Sequence, residues 1–171
     1  MQTMTLPPDS THFHPRAFVV VVEALDEHLA AFRDLNLEWI DAHFMREAKD
    51  IEVLNDPVKW ILEPGGQVFA ALHDHLVVGV CAMMALPSSG EFELVKMAVR
   101  PDRRGLGAGR ALMQAAEAWC LRQNAKRILI VTNSALTPAV RLYETSGYKL
   151  IHEGPHPSYQ RADRIFEKRL G

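Results

Sequence analysis

The stretch VRPDRRGLGAGRAL, residues 99–112, places glycines at the alternate positions 105, 107 and 109 among several arginines. Glycine loses much conformational entropy on folding and is disfavoured in helices, so this density indicates a backbone that must approach another group closely. The arginines indicate that the group is an anion. A strand-like run, EFELVKMAV (91–99), precedes the stretch, and a helical pattern follows it. This order points successive backbone N–H groups at one place, which suits a pyrophosphate.

Two common phosphate-binding motifs do not explain the glycines. A GxGxxG fingerprint that starts at Gly105 needs glycine where Arg110 stands, and one that starts at Gly107 needs it where Leu112 stands. A P-loop needs a Gly-Lys pair, and the sequence contains none. The stretch therefore consists of a strand end, an arginine-glycine turn and a helix start, and it belongs to neither of these two motifs.

Residues 104–109 match the pattern [QR]xxGx[GA], and the V-x-P at positions 99–101 stands before them. The stretch thereby resembles the acetyl-CoA signature of the GNAT superfamily of N-acetyltransferases. A second segment, VTNSALTPAVRLYETSGY (131–148), resembles the later part of the same fold: a strand that ends at Asn133, a helix with "LYE", and a closing "GY". Two motifs at the expected separation make the resemblance specific.

The resemblance implies the GNAT acyl-CoA N-acyltransferase fold of the α/β class. This fold has a central mixed, mostly antiparallel sheet of about seven strands with a splayed parallel pair, flanked by about four helices. The hydrophobic pattern predicts the same order: a strand, two helices, three strands, a helix, a strand, a helix and two strands. We expect one domain over 17–171, whose run AFVVVVEAL (17–25) is a buried first strand, and a loosely ordered arm over 1–16.

The resemblance also implies the contacts with acetyl-CoA, the acetyl donor. Backbone groups of one strand end would pair with the pantetheine arm, as an added strand would; they belong to Met97, Ala98 and Val99. Backbone amides of the following turn would hold the pyrophosphate; they belong to Arg104, Gly105, Leu106, Gly107, Ala108, Gly109 and Arg110. Asn133 would lie beside the pantetheine where the two parallel strands separate.

Acetyl transfer to an amine makes three chemical demands. The amine must lose a proton, because an alkylammonium has a pKa of about 10.4. The oxyanion needs a donor, and the resemblance implies a backbone N–H on the splayed strand. The departing thiolate, with a pKa of about 8.5, is helped by an acid. The resemblance assigns that acid to Tyr143 of "LYE"; the alternative is that Tyr143 packs in the core with Leu136 and Val140 on one helical face.

Glu93 is the candidate base. It stands where histone-acetylating members of the superfamily carry a glutamate, four residues before Met97. Strand alternation predicts that Glu93 shares a face with Met97 and Val99, provided that the strand has no bulge. The alternatives are a carboxylate that only binds the substrate and a solvated strand residue.

The resemblance implies that the acceptor pocket of the GNAT fold lies between the early helices and the closing segment, which here is HEGPHPSYQRAD (152–163). Aromatic side chains of the early part are candidates for its wall or for the core: Trp39, Phe44 and Trp60. Polar side chains of the closing segment are candidates for substrate contacts: His152, His156, Tyr159 and Arg161. His73 and His75 flank a hairpin tip with no third ligand in view, so no metal site is expected.

Composition limits the function classes. The chain has 171 residues, with 19 Lys and Arg against 21 Asp and Glu, a net charge of -2 that recruits neither nucleic acid nor an anionic membrane. No segment has the length of a membrane span. Cys81 and Cys120 lack CxxC spacing, which suits a reducing cytoplasm.

Three functions follow from these observations. The first is an acetyltransferase that moves the acetyl group of acetyl-CoA to a primary amine of a small molecule or protein by direct attack in a ternary complex. The second is a catalytically silent CoA-binding module of the same fold. The third, nucleic-acid binding through the arginine-rich turn, is disfavoured by the net charge and by the lack of an aromatic stacking platform. The acceptor stays open, and the resemblance is compatible with a homodimer.

Overall fold

The computed structural model of the chain describes residues 18–156 and 160–171. Seven strands form one sheet in the order β1-β2-β3-β4-β5-β7-β6. Their bounds are β1 Val20–Glu23, β2 Gln67–His73, β3 Leu76–Ala85, β4 Glu91–Val99, β5 Arg127–Thr132, β6 Lys149–Glu153 and β7 Arg164–Arg169. Only the pair β4–β5 is parallel; all other neighbouring pairs are antiparallel. The predicted mixed sheet with one parallel pair is thus confirmed.

Four α-helices flank the sheet within the described part of the chain. They are α1 Asp26–His43, α2 Ala48–Asn55, α3 Ala108–Arg122 and α4 Thr137–Thr145, joined by a π-helical turn Val58–Leu62 and a 3₁₀ turn Pro101–Arg103. None of the described helices is long and apolar enough to cross a membrane. The predicted arm over 1–16 lies outside the described residues.

Each face of the sheet carries its own apolar layer. On one face, α3 buries Leu112 and Trp119, and the Trp119 ring meets the Phe92 ring edge-on at 5.2 Å. On the other face, α1 and α2 bury Phe32 and Val53 against strands β2 and β3. Both layers are built from alternate strand residues, which is why the strands read as nearly continuous apolar runs in sequence.

The first strand differs from its prediction. The valine run predicts burial, yet Val20 is 56% exposed, and β1 pairs only with β2. The strand lies at the edge of the sheet, where apolar β-branched residues are still favoured by the pleated backbone but one side has no neighbouring strand.

The parallel pair opens partway along its length. Only residues 91–93 of β4 pair with residues 127–129 of β5. Beyond that point β4 continues beside β3 and β5 continues beside β7. The two strands therefore diverge, and the backbone edge of β4 that faces β5 is left without a strand partner over its second half.

A bulge interrupts β4 within that open half. Ala82 of β3 pairs with Val95, whereas Val80, two residues earlier, pairs with Ala98. Strand β4 therefore contains one extra residue, and Lys96 adopts a left-handed backbone with φ of 53°. Such a bulge inverts the side-chain alternation that follows it.

Candidate active site

A cavity of about 220 Å³ occupies the gap between the diverging strands. Strands β4 and β5 form its floor, and side chains of α1, α2 and α4 form its walls. Glu93, Asn133, Tyr143 and Arg161 all line it. The structure thus brings together both candidate catalytic side chains and one candidate acceptor contact.

The bulge separates Glu93 from part of its predicted face. Met97 and Val99 pack toward the layer that contains α3, whereas Val95 and Ala98 belong to the layer on the α1 side. The condition for Glu93 to share a face with Met97 and Val99, a strand without a bulge, is therefore not met, because the extra residue inverts the alternation between them. Glu93 itself points into the cavity on the α1 side.

The surroundings of Glu93 change its acidity. Burial raises the pKa of its carboxyl to about 7, although the charges of Lys49 and Lys96 oppose the rise. A carboxylate whose pKa lies near neutrality is ionised often enough to accept a proton and basic enough to hold it. This position is thus chemically suited to a general base.

Tyr143 is a residue of α4 and lines the cavity from that helix. Its side chain is 7% exposed, and its ring lies 5.9 Å from that of Phe166. Burial raises the pKa of the phenol to about 12, while a hydrogen bond with Thr132 opposes the rise. The hydroxyl is consequently protonated at neutral pH and available as a donor. The core-packing interpretation holds as well, since Tyr143 contacts the apolar layer and the cavity at once.

The glycine turn has the geometry of an anion site. Gly105 and Gly107 have φ of +85° and +81°, and a Cβ built on either would meet no other atom within 4 Å. Gly107 precedes the first residue of α3, Ala108, and no side chain within the described part of the chain caps this helix start. The N–H groups of the first helical turn have no partners within a helix, so they are available to a phosphate. Gly109 serves packing instead, because its Cβ would lie 3.2 Å from a methyl group of Leu142.

The arginines around the turn have different partners. Arg100 binds Asp102 through Nε at 3.1 Å, and Arg103 lies 3.7 Å from the same carboxylate. Arg110 donates to the Thr145 hydroxyl at 3.1 Å, which directs its side chain to the end of α4. Arg104 makes no ion pair with any residue that the structure describes. The groups of the turn that are available to an anion are therefore mainly its backbone amides, together with the side chain of Arg104.

Asn133 ties the end of β5 to the segment before β7. Its Nδ2 donates to the backbone carbonyl of Arg161 at 2.5 Å, and its Oδ1 accepts from the backbone N–H of Ala135 at 2.8 Å. Both ends of the side chain are thus engaged within the protein. Asn133 lines the cavity with a side chain that these two hydrogen bonds hold in place.

A buried ionic cluster in the cavity wall was absent from the sequence-based predictions. Asp50 of α2 is 3% exposed and accepts hydrogen bonds from Lys96 Nζ, from Arg161 Nη2 at 2.8 Å and from the backbone N–H of Glu47 at 3.1 Å. Arg161 also donates to the carbonyl of Met45 at 3.2 Å. Burial acts to raise the pKa of Asp50, but the bonds from Arg161 and Lys96 outweigh it and hold that pKa below its usual range. The cluster joins α2, the bulge of β4 and the segment before β7.

Replacing Asp50 by asparagine is expected to lower the free energy of unfolding by about 2 kcal/mol at pH 7. Breaking a buried ion pair costs about 3–5 kcal/mol, but Lys96 and Arg161 are partly exposed and regain some hydration. Because the folded state depresses this pKa, the loss should begin to shrink below about pH 4, where the carboxyl becomes protonated in the unfolded chain, and should disappear once the pH falls below the depressed pKa of the folded chain. Urea unfolding measures both effects. Asp34→Asn, which breaks the exposed pair with Arg33, is the control, and an equal loss in both variants would contradict a special role for Asp50.

The other predicted pocket residues divide into two groups. Trp39, Phe44 and Arg161 line the cavity, whereas Trp60 packs against the apolar layer on the α1 side. Among the residues that the structure describes, neither His152 nor His156 is part of the cavity lining, and Tyr159 lies outside those residues. Within 18–156 and 160–171, no group of three His, Cys, Asp or Glu side chains is arranged to hold a metal ion.

Comparisons with known proteins agree with this geometry. The family model described as "Acetyltransferase (GNAT) family" matches residues 21–148. An uncharacterized N-acetyltransferase of Mycobacterium tuberculosis is 32% identical over 72% of this chain and 69% of its own length. An acetyltransferase of the GNAT family from Staphylococcus aureus has a similar structure, with a TM-score of 0.79 at 22% identity over 90% of this chain and 99% of that one. A putative acetyltransferase from Salmonella typhimurium, solved with its cofactor acetyl-CoA, has a TM-score of 0.74 at 16% identity over 90% of this chain and 94% of that one.

Proposed function

The chain belongs to the GNAT family of acetyltransferases, and we propose that it transfers the acetyl group of acetyl-CoA to a primary amine by direct attack within a ternary complex. The observation that carries the proposal is that Glu93 and Tyr143 line one cavity at the divergence of β4 and β5. Acetyl-CoA would supply a thioester whose carbonyl carbon accepts the amine nitrogen to form a tetrahedral oxyanion, and the carbon–sulfur bond would then break to release the thiolate of CoA.

Two parts of the chain would hold acetyl-CoA. The backbone amides of the turn from Arg104 to Arg110 would bind the pyrophosphate, a role supported by the left-handed glycines and the uncapped start of α3. The open edge of β4, at Met97, Ala98 and Val99, would pair with the pantetheine arm. This role is supported by the short pairing of β4 with β5, which covers only three residues of β4 and leaves the later edge of the strand without a strand partner. Asn133 would bound the pantetheine on the β5 side.

Glu93 would take the proton of the amine. The acceptor reaches the site as an ammonium with a pKa of about 10.4, so a proton must leave before or during attack. Glu93, with a pKa of about 7, would accept this proton directly or through one water molecule. Backbone N–H groups at the open edge of β4 would donate to the oxyanion that forms on the carbonyl oxygen.

Tyr143 would stabilise the departing sulfur by donating a hydrogen bond. Complete transfer of its proton would be unfavourable by about 5 kcal/mol, because the phenol has a pKa of about 12 and a thiol has one of about 8.5. A donor that stays protonated nevertheless lowers the energy of a thiolate in a dry site. We therefore assign Tyr143 the role of donor to the leaving group, and the thiolate would take its proton later from solvent.

Replacing Tyr143 by phenylalanine is expected to lower kcat roughly 100-fold with little change in the KM for acetyl-CoA, because the donor acts as the sulfur leaves. Steady-state kinetics with a saturating amine measure this effect. Tyr148→Phe is the matched control, since Tyr148 is also buried but does not line the cavity. An unchanged kcat in a folded Tyr143→Phe protein would leave Tyr143 with a packing role only.

The function is tested by incubating the protein with acetyl-CoA and a panel of amines and measuring release of free CoA. Acetylation of at least one amine supports the proposal. Tight binding of acetyl-CoA without turnover of any amine would favour the catalytically silent CoA-binding module. We further propose a cytoplasmic location, which the free thiols of Cys81 and Cys120 support. A homodimer stays a prediction.

A further inference from the structure

The charged side chains of the cavity wall indicate which charges the acceptor carries, on the premise that the proposed function holds. Three cations and three carboxylates line the cavity: Lys49, Lys96, Arg161, Glu47, Asp50 and Glu93. Asp50 is shared by Lys96 and Arg161, and Glu47 lies 3.9 Å from the Nε of Arg161. These four groups therefore compensate one another.

Lys49 and Glu93 remain outside that cluster. Lys49 is exposed at the cavity, and it makes no hydrogen bond or ion pair with any residue in 18–156 or 160–171. Its charge nevertheless reaches Glu93, since it lowers the pKa of that carboxyl. A cation and a carboxylate thus face the same space without being bound to each other.

Arg161 retains hydrogen-bonding capacity beside this pair. A guanidinium has five N–H donors. Asp50 accepts one from Nη2 and the Met45 carbonyl accepts one from Nη1, so each of these nitrogens keeps a second N–H. The guanidinium also lies 5.5 Å from the centre of the Phe44 ring, within range of a cation–π interaction.

We propose that the acceptor is a zwitterionic amine, with a carboxylate close to the amine as in an α-amino acid, and that Lys49 and Arg161 bind this carboxylate while Glu93 faces the amine. Each charge of such a molecule then meets an opposite charge of the wall. A simple monoamine would leave Lys49 uncompensated. A polyamine would bring further positive charge toward Lys49, Lys96 and Arg161, and like charges repel.

Apolar side chains indicate which amino acids fit best. The part of the cavity wall formed by α1 and α2 contains Trp39, Ile40, Phe44 and Val53. These residues offer an apolar surface to the side chain of the acceptor, whereas they offer no partner to a second buried charge. We therefore expect phenylalanine and leucine to be better acceptors than lysine or spermidine.

The test compares free amino acids with counterparts that lack the carboxylate. The twenty standard α-amino acids, their amides and spermidine are assayed with saturating acetyl-CoA; phenethylamine replaces phenylalanine without its carboxylate. We expect kcat/KM for the best free acid to exceed that of its amide roughly 10- to 100-fold, as a charge-assisted contact provides. Amine reactivity cannot produce this preference, because the amide has the less basic amine and needs less deprotonation.

The role of Lys49 is tested with the same substrates. In Lys49→Met the ratio of kcat/KM for the free acid to kcat/KM for its amide should fall roughly tenfold, because only the free acid has the carboxylate that Lys49 would bind. Any effect through the pKa of Glu93 acts on both substrates and cancels in this ratio. Lys49→Arg should retain most of the preference. Lys149→Met, an exposed lysine on β6 away from the cavity, is the control and should keep the wild-type preference.

The outcomes separate this inference from the proposed function. Amides, phenethylamine or spermidine acetylated as well as the free acids would overturn the inference and leave the acetyltransferase intact. A preference for free acids that survives unchanged in Lys49→Met would overturn the assignment of Lys49. Binding of acetyl-CoA without acetylation of any amine would overturn the proposed function, and the inference with it.

Discussion

Replacing Glu93 by glutamine is expected to lower kcat roughly 1000-fold and to remove the rise in rate with pH that is centred near 7. Glutamine keeps the size and polarity of the side chain but cannot accept the proton of the amine. The loss lies within the usual range of about 100- to 10,000-fold for general acid–base catalysis. Binding of acetyl-CoA should be unaffected, since Glu93 lies apart from the glycine turn.

The pH dependence supplies the sharper measurement. Below pH 7 wild-type Glu93 is mostly protonated, so its contribution to the rate should rise about tenfold per pH unit and level off above 7. The amine also becomes more reactive as pH rises, in wild type and variant alike. The ratio of wild-type to Glu93→Gln kcat/KM between pH 5.5 and 9 therefore isolates the carboxyl. An unchanged kcat with a raised KM for the amine would identify Glu93 as a binding carboxylate only.

Stability provides an independent readout of the same carboxyl. Its pKa is higher in the folded chain than in the unfolded one, so the native state binds more protons between about pH 4.5 and 7, and stability falls as pH rises through that window. Glu93→Gln should therefore raise the free energy of unfolding by about 3 kcal/mol at pH 8 and leave it unchanged near pH 4. Glu63→Gln, on the exposed turn before β2, should show neither effect. A pH-independent change in Glu93→Gln would contradict the raised pKa.

The fold could be predicted because its deciding features are local. The bounds of β4, predicted over 91–99, are those of the structure, and Gly105 and Gly107 have the left-handed backbone that makes glycine necessary there. The pattern also predicted the number of strands and their order along the chain. The exposure of Val20 could not be predicted in the same way, since it depends on which strand ends at the edge of the sheet.

The site could be predicted only in part. Glu93 and Tyr143 were predicted as the base and the acid of one site, and both line one cavity. The bulge at Lys96 depends on the register with β3, which no residue of β4 specifies alone, so the sequence could give the face of Met97 only on the condition of a regular strand. The ionic cluster was missed because Asp50 is 46 residues from Lys96 and 111 from Arg161 in sequence. Only the folded chain brings these charges together.

Replacing Gly107 by glutamate is expected to weaken acetyl-CoA binding roughly 1000-fold or more. Each lost hydrogen bond to a charged group is worth about 1.5–3 kcal/mol, and the new carboxylate repels the pyrophosphate that the turn would hold. The variant should still fold, because a Cβ at this position meets no atom within 4 Å. The left-handed φ of +81° adds a strain of about 1–2 kcal/mol. Calorimetric titration with acetyl-CoA and thermal unfolding measure binding and stability separately.

Two further variants separate charge from strain. Gly107→Ala imposes the same backbone strain without the charge and should weaken binding much less. Gly65→Glu places the same side chain at an exposed glycine with φ of +94° and equally open surroundings, but outside both the turn and the cavity lining. It should bind acetyl-CoA like the wild type, because repulsion matters only where the pyrophosphate lies. Equal binding by folded Gly107→Glu and wild type would exclude the turn as the pyrophosphate site. A folded wild type that binds no acetyl-CoA would overturn the donor assignment itself and leave other acyl-CoA thioesters as candidate donors.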